Sequence, residues 1–135
     1  MAETADFVSG GAGFDKLLVF VDLLTRWVEA TPFNGPPSTE DVLDAFITQI
    51  VSRHGVPRQL RSDAGSNFAS ALAADIFART GTDLTNSEAE HHESVGIVER
   101  VQQTLTQMTR ATNEGGGHWA DHLPFILMSY RATVH

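Results

Sequence analysis

Three carboxylates stand where their neighbours make them more than surface charge. Asp63 ends a short apolar run and opens the Gly-containing turn Ser62-Asp63-Ala64-Gly65-Ser66-Asn67-Phe68. Glu99 lies in Gly96-Ile97-Val98-Glu99-Arg100, near the start of a helical pattern, with thirty-five residues (64 to 98) between it and Asp63. Asp6 sits in Ala5-Asp6-Phe7-Val8, a short apolar run near the N-terminus. Phosphodiester chemistry needs charge stabilisation on both the attacking and the leaving oxygen, which two Mg²⁺ ions about 3.5–4 Å apart can supply. Mg²⁺ favours carboxylates and water. One aspartate bridging two ions, with one further acid for each, would serve. Asp6 is the natural bridge, Asp63 would hold one ion and Glu99 the other. Most Asp and Glu residues in any chain are solvated and unpaired, so spacing alone leaves each of the three open to the reading of an ordinary surface acid.

The bulk composition bounds what surrounds such a site. The 135 residues make one domain with room for a real core. Hydrophobic content of 41% and charged content of 19% are those of a globular protein. No run is long enough to cross a membrane as a helix, and no targeting signal is visible. With no cysteine, thiolate chemistry and Cys-ligated zinc are excluded, which favours oxygen ligands for any metal. The net charge of −8 opposes a stand-alone nucleic-acid binder, since phosphate neutralisation dominates such affinity.

The positioning elements follow from periodicity. Residues 1–9 read as a strand, then a turn cluster at 9–13. Residues 16–22 form a nearly continuous apolar strand covered on both faces, and residues 25–33 a third strand, together an antiparallel meander. Ser38-Thr39-Glu40-Asp41 resembles a capping box, and Val42, Leu43, Phe46, Ile47, Ile50 and Val51 form one apolar stripe of a helix closed by Gly55. A strand at 58–62 delivers Asp63. A helix over 67–80 closes at Gly81, and a brief strand spans 82–85. A polar loop covers 86–94, and a helix from about 95 to 113 buries Val98, Val101, Leu105 and Met108 while presenting Glu99, Gln103, Thr106 and Arg110. A last helix contains Leu123, Ile126, Leu127 and Tyr130, with Pro124 in its first turn or kinking it. The expected fold is α/β: three antiparallel strands and then β-α-β-α-β in a mixed five-stranded sheet, with helices on both faces.

Asp22 rivals Asp6, because it too ends an apolar strand. If the first two strands form a hairpin turning near Gly11, residue 6 faces residue 17, and Asp22 lies about 16 Å further along at about 3.3 Å per residue. Asp22 is therefore read as structural.

The sequence resembles the catalytic core of retroviral-type integrases, with gypsy-type LTR retrotransposons as the nearest group. The resemblance rests on Asp6-Phe7-Val8, Leu18-Val19-Phe20-Val21-Asp22, Arg26-Trp27-Val28-Glu29-Ala30, His54-Gly55-Val56-Pro57, residues 62–68, residues 96–100, Leu123-Pro124 and Tyr130-Arg131. It covers almost the whole chain, and the thirty-five-residue gap is that family's hallmark. It implies a ribonuclease-H-like fold, two Mg²⁺ or Mn²⁺ ions, 3′-end processing and strand transfer on DNA, and Asp6, Asp63 and Glu99 as catalytic, metal-holding acids. It further implies Asn67, Arg100, Gln103 and Arg110 as DNA contacts, the loop 87–95 as an active-site loop, a homodimer or higher oligomer, and nuclear or cytoplasmic action. Since such proteins carry flanking N- and C-terminal domains, it also implies that 1–135 is a core cut at both ends.

The chain departs from the pattern in places. The loop reads His91-His92-Glu93-Ser94-Val95-Gly96 where the family has His-Pro-Gln, and Glu88, Glu90 and Glu93 would repel phosphate. Adjacent histidines rarely chelate one ion without further ligands, so a solvated loop is preferred to a zinc site. Gln103 and Thr106 stand where many relatives are basic. These departures support an alternative expectation, a core that keeps the fold as a protein- or chromatin-interaction module.

Overall fold

The computed structural model describes residues 2–6, 16–62, 71–86, 92–115 and 118–133. Strands β1 (Ala2–Asp6), β2 (Lys16–Val21) and β3 (Val28–Phe33) come first. Helix α1 (Thr39–Ala45) then runs through a π-helical stretch (Phe46–Val51) into the short α2 (Ser52–His54). Strand β4 (Gln59–Ser62), α3 (Ala71–Thr80), β5 (Asp83–Asn86), α4 (His92–Glu114) and α5 (Leu123–Ala132) complete the order. The strands form one mixed sheet ordered β3-β2-β1-β4-β5. β1–β2 and β2–β3 are antiparallel, whereas β1–β4 and β4–β5 are parallel.

The continuous apolar run of β2 explains why it lies inside the sheet with both faces covered. Leu17, Val19 and Val21 join Val28 and Ala30 of β3 against Ile97, Val98, Val101 and Leu105 of α4, with Trp119, Leu123, Ile126, Leu127 and Tyr130 beyond. Leu18 and Phe20 face the other way, into Val42, Leu43 and Phe46, with Leu60, Ala73 and Phe77. Phe46 lies at the centre of that layer, its ring 6.4 Å from Phe20 and 5.5 Å from Phe77. Each fully buried Leu, Val or Phe side chain contributes about 1.5–3 kcal/mol, so the two layers clamp β2 from both sides. Pro32 lies in β3, an edge strand, where proline is tolerated.

The expected capping box opens α1. Ser38 Oγ accepts from the Asp41 N–H at 3.1 Å, and an Asp41 carboxylate oxygen accepts from the Ser38 N–H at 3.0 Å. Gly55, at φ 85°, ends the helical run in a conformation that disfavours a side chain. The stripe predicted for this helix does not hold throughout. From Phe46 the helix widens to π geometry, with the Ser52 N–H bonding the Ile47 carbonyl five residues back. The wider turn carries Ile47 out of the core to 40% exposure, while Ile50 and Val51 stay half-buried.

Several boundaries differ from expectation, among them β3, which begins at Val28 rather than 25. β5 includes Asn86, and α4 begins at His92 rather than 95, so residues 92–94 are helical and not loop. A first helical turn leaves its N–H groups without intrahelical partners and tolerates polar residues, so a polar run there has the composition of a loop. Residues 67–70 of the helix predicted over 67–80, and 87–91 of the predicted loop, lie outside the described residues. Pro124 occupies the first turn of α5 without breaking it.

Candidate active site

Asp6 closes β1 and pairs with Lys16 across the antiparallel ladder, one residue from the partner expected. β1 is central, with β2 on one side and β4 on the other. Ala2 of β1 pairs with Ser62 of β4, the residue before Asp63. Asp63 itself, like Asn67 and His91, lies outside the described residues. Along β1, Asp6 lies four residues past the Ala2–Ser62 pairing.

Glu99 is exposed on α4, one residue from the fully buried Val98. The helix packs against β1 and β2, so burial of its apolar stripe fixes the rotation that leaves Glu99 outside the core. Gln103 and Arg110, at helical spacing from Glu99, are exposed too, and Thr106 is half-buried. Arg100 is exposed and folds back on its own helix, its Nε donating to the Gly96 carbonyl at 3.2 Å.

The fold thus places the strand that precedes Asp63 and the helix of Glu99 each against the strand of Asp6. Strand pairing by itself does not bring the three carboxylates into contact, and among the described residues no three His, Asp or Glu side chains form a metal-sized cluster. The donor types of the predicted set, three carboxylates in a chain without cysteine, suit a hard, oxygen-preferring cation.

Asp22 is structural, as expected. Its Oδ1 accepts from the N–H groups of Leu24 (2.9 Å) and Thr25 (3.3 Å), and its backbone brackets the turn through bonds to Trp27 and Arg26. Arg26 takes φ 65° to close that turn.

Comparison with known proteins decides the family. The integrase core domain matches residues 4–92. This chain belongs to that family. The integrase core is 34% identical over 131 residues to the Gag-Pol polyprotein of koala retrovirus, covering 92% of this chain and 7% of the polyprotein. Among solved structures, it resembles the catalytic core domain of BIV integrase with a TM-score of 0.81 and 19% identity, over 99% of this chain and 83% of that one. A second likeness is to a chain of the simian T-cell lymphotropic virus intasome in complex with PP2A regulatory subunit B56 gamma, with a TM-score of 0.80 and 18% identity over 95% of this chain and 46% of that one. These likenesses carry the fold, which is that of ribonuclease-H-like integrase cores. The chain spans only 7–11% of the first Gag-Pol relatives. These relatives are retroviral, so gypsy-type affinity is a narrower expectation than the family itself.

Sequence reasoning missed one polar cluster in the integrase core. Glu29 is 3% exposed. Its carboxylate accepts from Trp27 Nε1 at 3.0 Å and lies 3.2 Å from Arg53 Nη1, 3.1 Å from His54 Nε2 and 3.0 Å from Arg131 Nη2. Burial pushes its pKa upward, but the hydrogen bonds of Trp27 and His54 and the charges of Arg131 and Arg53 outweigh that, holding the carboxyl below its usual 4.5. The available signal was an acid between Val28 and Ala30, both buried.

Proposed function

We propose that this integrase core performs divalent-metal-dependent polynucleotidyl transfer on DNA, trimming 3′ ends with water and then joining the new 3′-OH to target DNA. The observation that supports it best is topological. The central strand β1 ends in Asp6 and pairs in parallel with β4, which ends at Ser62 beside Ala2, one residue before Asp63 and four residues short of Asp6. Helix α4, which packs on β1, carries Glu99.

In this reading Asp6, Asp63 and Glu99 would hold the divalent ions, two Mg²⁺ or Mn²⁺. Bound, the ions would lower the pKa of the attacking hydroxyl or water and neutralise charge on the leaving oxygen. Asn67, Arg100, Gln103 and Arg110 hold the DNA backbone, the arginines by charge and the amides by hydrogen bonds. For Arg100 this requires release of the Gly96 carbonyl, an exchange of one exposed hydrogen bond for a charge-assisted one.

The functional unit in this reading is a homodimer or larger assembly, consistent with the exposed apolar side chains Phe125 (64%) and Met128 (60%) on α5. Gypsy-type affinity and nuclear or cytoplasmic action belong to the same proposal. A second reading, a core acting as a protein- or chromatin-interaction module, is favoured by the net charge of −8.

Titration calorimetry with Mg²⁺ and Mn²⁺ separates the two. The catalytic reading expects binding by wild type that is lost in Asp63→Asn. No binding at millimolar metal, with DNA present, would refute it and leave the interaction module.

A further inference from the structure

A cleft of about 780 Å³ opens between the β2–β3 turn, the end of the first helical run and the connection from α2 into β4. It lies away from Asp6. Asp6 pairs with Lys16 at the start of β2, whereas the cleft is lined by Phe20, Val21 and Asp22 at that strand's other end, about 13–20 Å along it.

Phe20, Ile50 and Leu60 line its apolar interior. Leu24 (91% exposed), Trp27 (42%) and Val56 (49%) also line it and reach solvent. Single exposed apolar residues are ordinary, but three around one concavity mark a binding surface. The volume suits an inserted side chain or a small ligand.

The charges around the cleft run against those of the chain. On a chain of net charge −8, His54 and Arg61 line the cleft, and the exposed Arg58 stands between the lining residues Pro57 and Gln59. The two acids that line the cleft are already engaged. Glu29 is matched by Arg53 and Arg131, and Asp22 Oδ1 accepts its own turn's N–H groups. Asp83, exposed on β5 opposite Gln59, is the acid nearest these arginines in the strand register. The surplus is positive and favours an acidic partner.

We propose that this cleft docks an acidic peptide segment of a partner protein, which inserts a large aliphatic or aromatic side chain between Leu24, Trp27 and Val56 and sets its carboxylates against Arg58 and Arg61. Single-stranded nucleic acid fits less well. It needs an open aromatic face for base stacking, and Trp27 is covered by the Arg131 guanidinium at 4.2 Å and flanked by His54 edge-on.

The test is a ¹H–¹⁵N NMR titration of the 135-residue chain with a short amidated peptide alternating Glu with Leu and Phe. Its controls are a Lys-for-Glu twin and an oligothymidylate. The proposal expects shifts concentrated at residues 22–27 and 54–61, and none from the Lys twin. Arg58→Glu should weaken binding about tenfold, and Leu24→Ser combined with Val56→Ser should abolish it. Both variants change exposed side chains, so their spectra elsewhere should match wild type. Absence of shifts in the cleft, equal binding of the Lys twin, or tighter binding of the oligothymidylate at the same amides would each overturn the proposal.

Discussion

Arg131, near the end of α5, places Nη2 3.0 Å from Oε2 of Glu29 in β3. The same guanidinium donates to the Val28 carbonyl through Nε (3.1 Å) and Nη2 (2.6 Å) and lies over the Trp27 ring. Arg53 and His54 reach the same carboxylate from α2. Glu29 therefore ties the last helix and the end of the first helical run to the edge strand of the sheet. A buried carboxylate is costly unless its oxygens are filled, and here four side chains fill them.

Removing that carboxylate should destabilise the fold. Glu29→Ala leaves Arg131 half-desolvated without its anion and should cost about 2–4 kcal/mol. Glu29→Gln, which keeps the shape and one acceptor, should cost less. Urea unfolding followed by circular dichroism measures both, and equal midpoints for wild type and Glu29→Ala would refute the assignment.

The same group sets an acid limit. Because the folded-state pKa of Glu29 lies below 4.5, its contribution is fully present above the unfolded value and is lost as pH falls through the lowered folded value. The stability gap between wild type and Glu29→Gln should be constant near neutrality and shrink below about pH 4.5. Thermal unfolding of both proteins across that range would show it, and a gap that widens in acid would reverse the sign.

Glu99 should behave oppositely to Glu29. It is exposed on α4, so Glu99→Gln should change stability by no more than about 0.5 kcal/mol. If the acid holds metal for phosphoryl chemistry, strand-transfer activity of an active full-length protein should fall by about 10²-fold or more. Activity retained in Glu99→Gln would remove it from the site.

The order of elements was readable because burial leaves a period in sequence. The run at Leu17–Val21 announced a strand covered twice, and Ser38 with Asp41 announced a helix start. Ile47 was misjudged because a helical period assumes α geometry, and the π turn after Ala45 breaks it through tertiary packing around Phe46. The Glu29 cluster was hidden for another reason. Three of its four partners lie twenty-four, twenty-five and over a hundred residues away, and no local pattern records who meets across a sheet edge. The proposed acids were legible only as types and spacing; β4 and α4 each pack on β1.

DNA affinity should depend on few charges. Arg100 and Arg110 are exposed on the helix of Glu99. If each meets one phosphate, replacing either with Ala should weaken binding alike for all sequences and lower the slope of log K against log salt by about 0.9. Fluorescence anisotropy over a salt series reads this directly. A sequence-dependent loss would instead make the residue a base reader, and an unchanged slope would take it off the DNA.

Association should be carried by α5. Ile126, Leu127 and Tyr130 are buried against the sheet, whereas Phe125 and Met128 on the same helix are 64% and 60% exposed. The helix therefore has a second apolar surface that is exposed among the described residues. Burying a Phe side chain is worth about 1.5–3 kcal/mol per copy, and a twofold interface counts it twice. Phe125→Lys with Met128→Lys should move a dimer to monomer in sedimentation equilibrium while leaving the unfolding midpoint of the monomer unchanged, because neither side chain is part of the core. A wild type that is monomeric at high concentration, or a double variant that still dimerises, would place the assembly surface elsewhere.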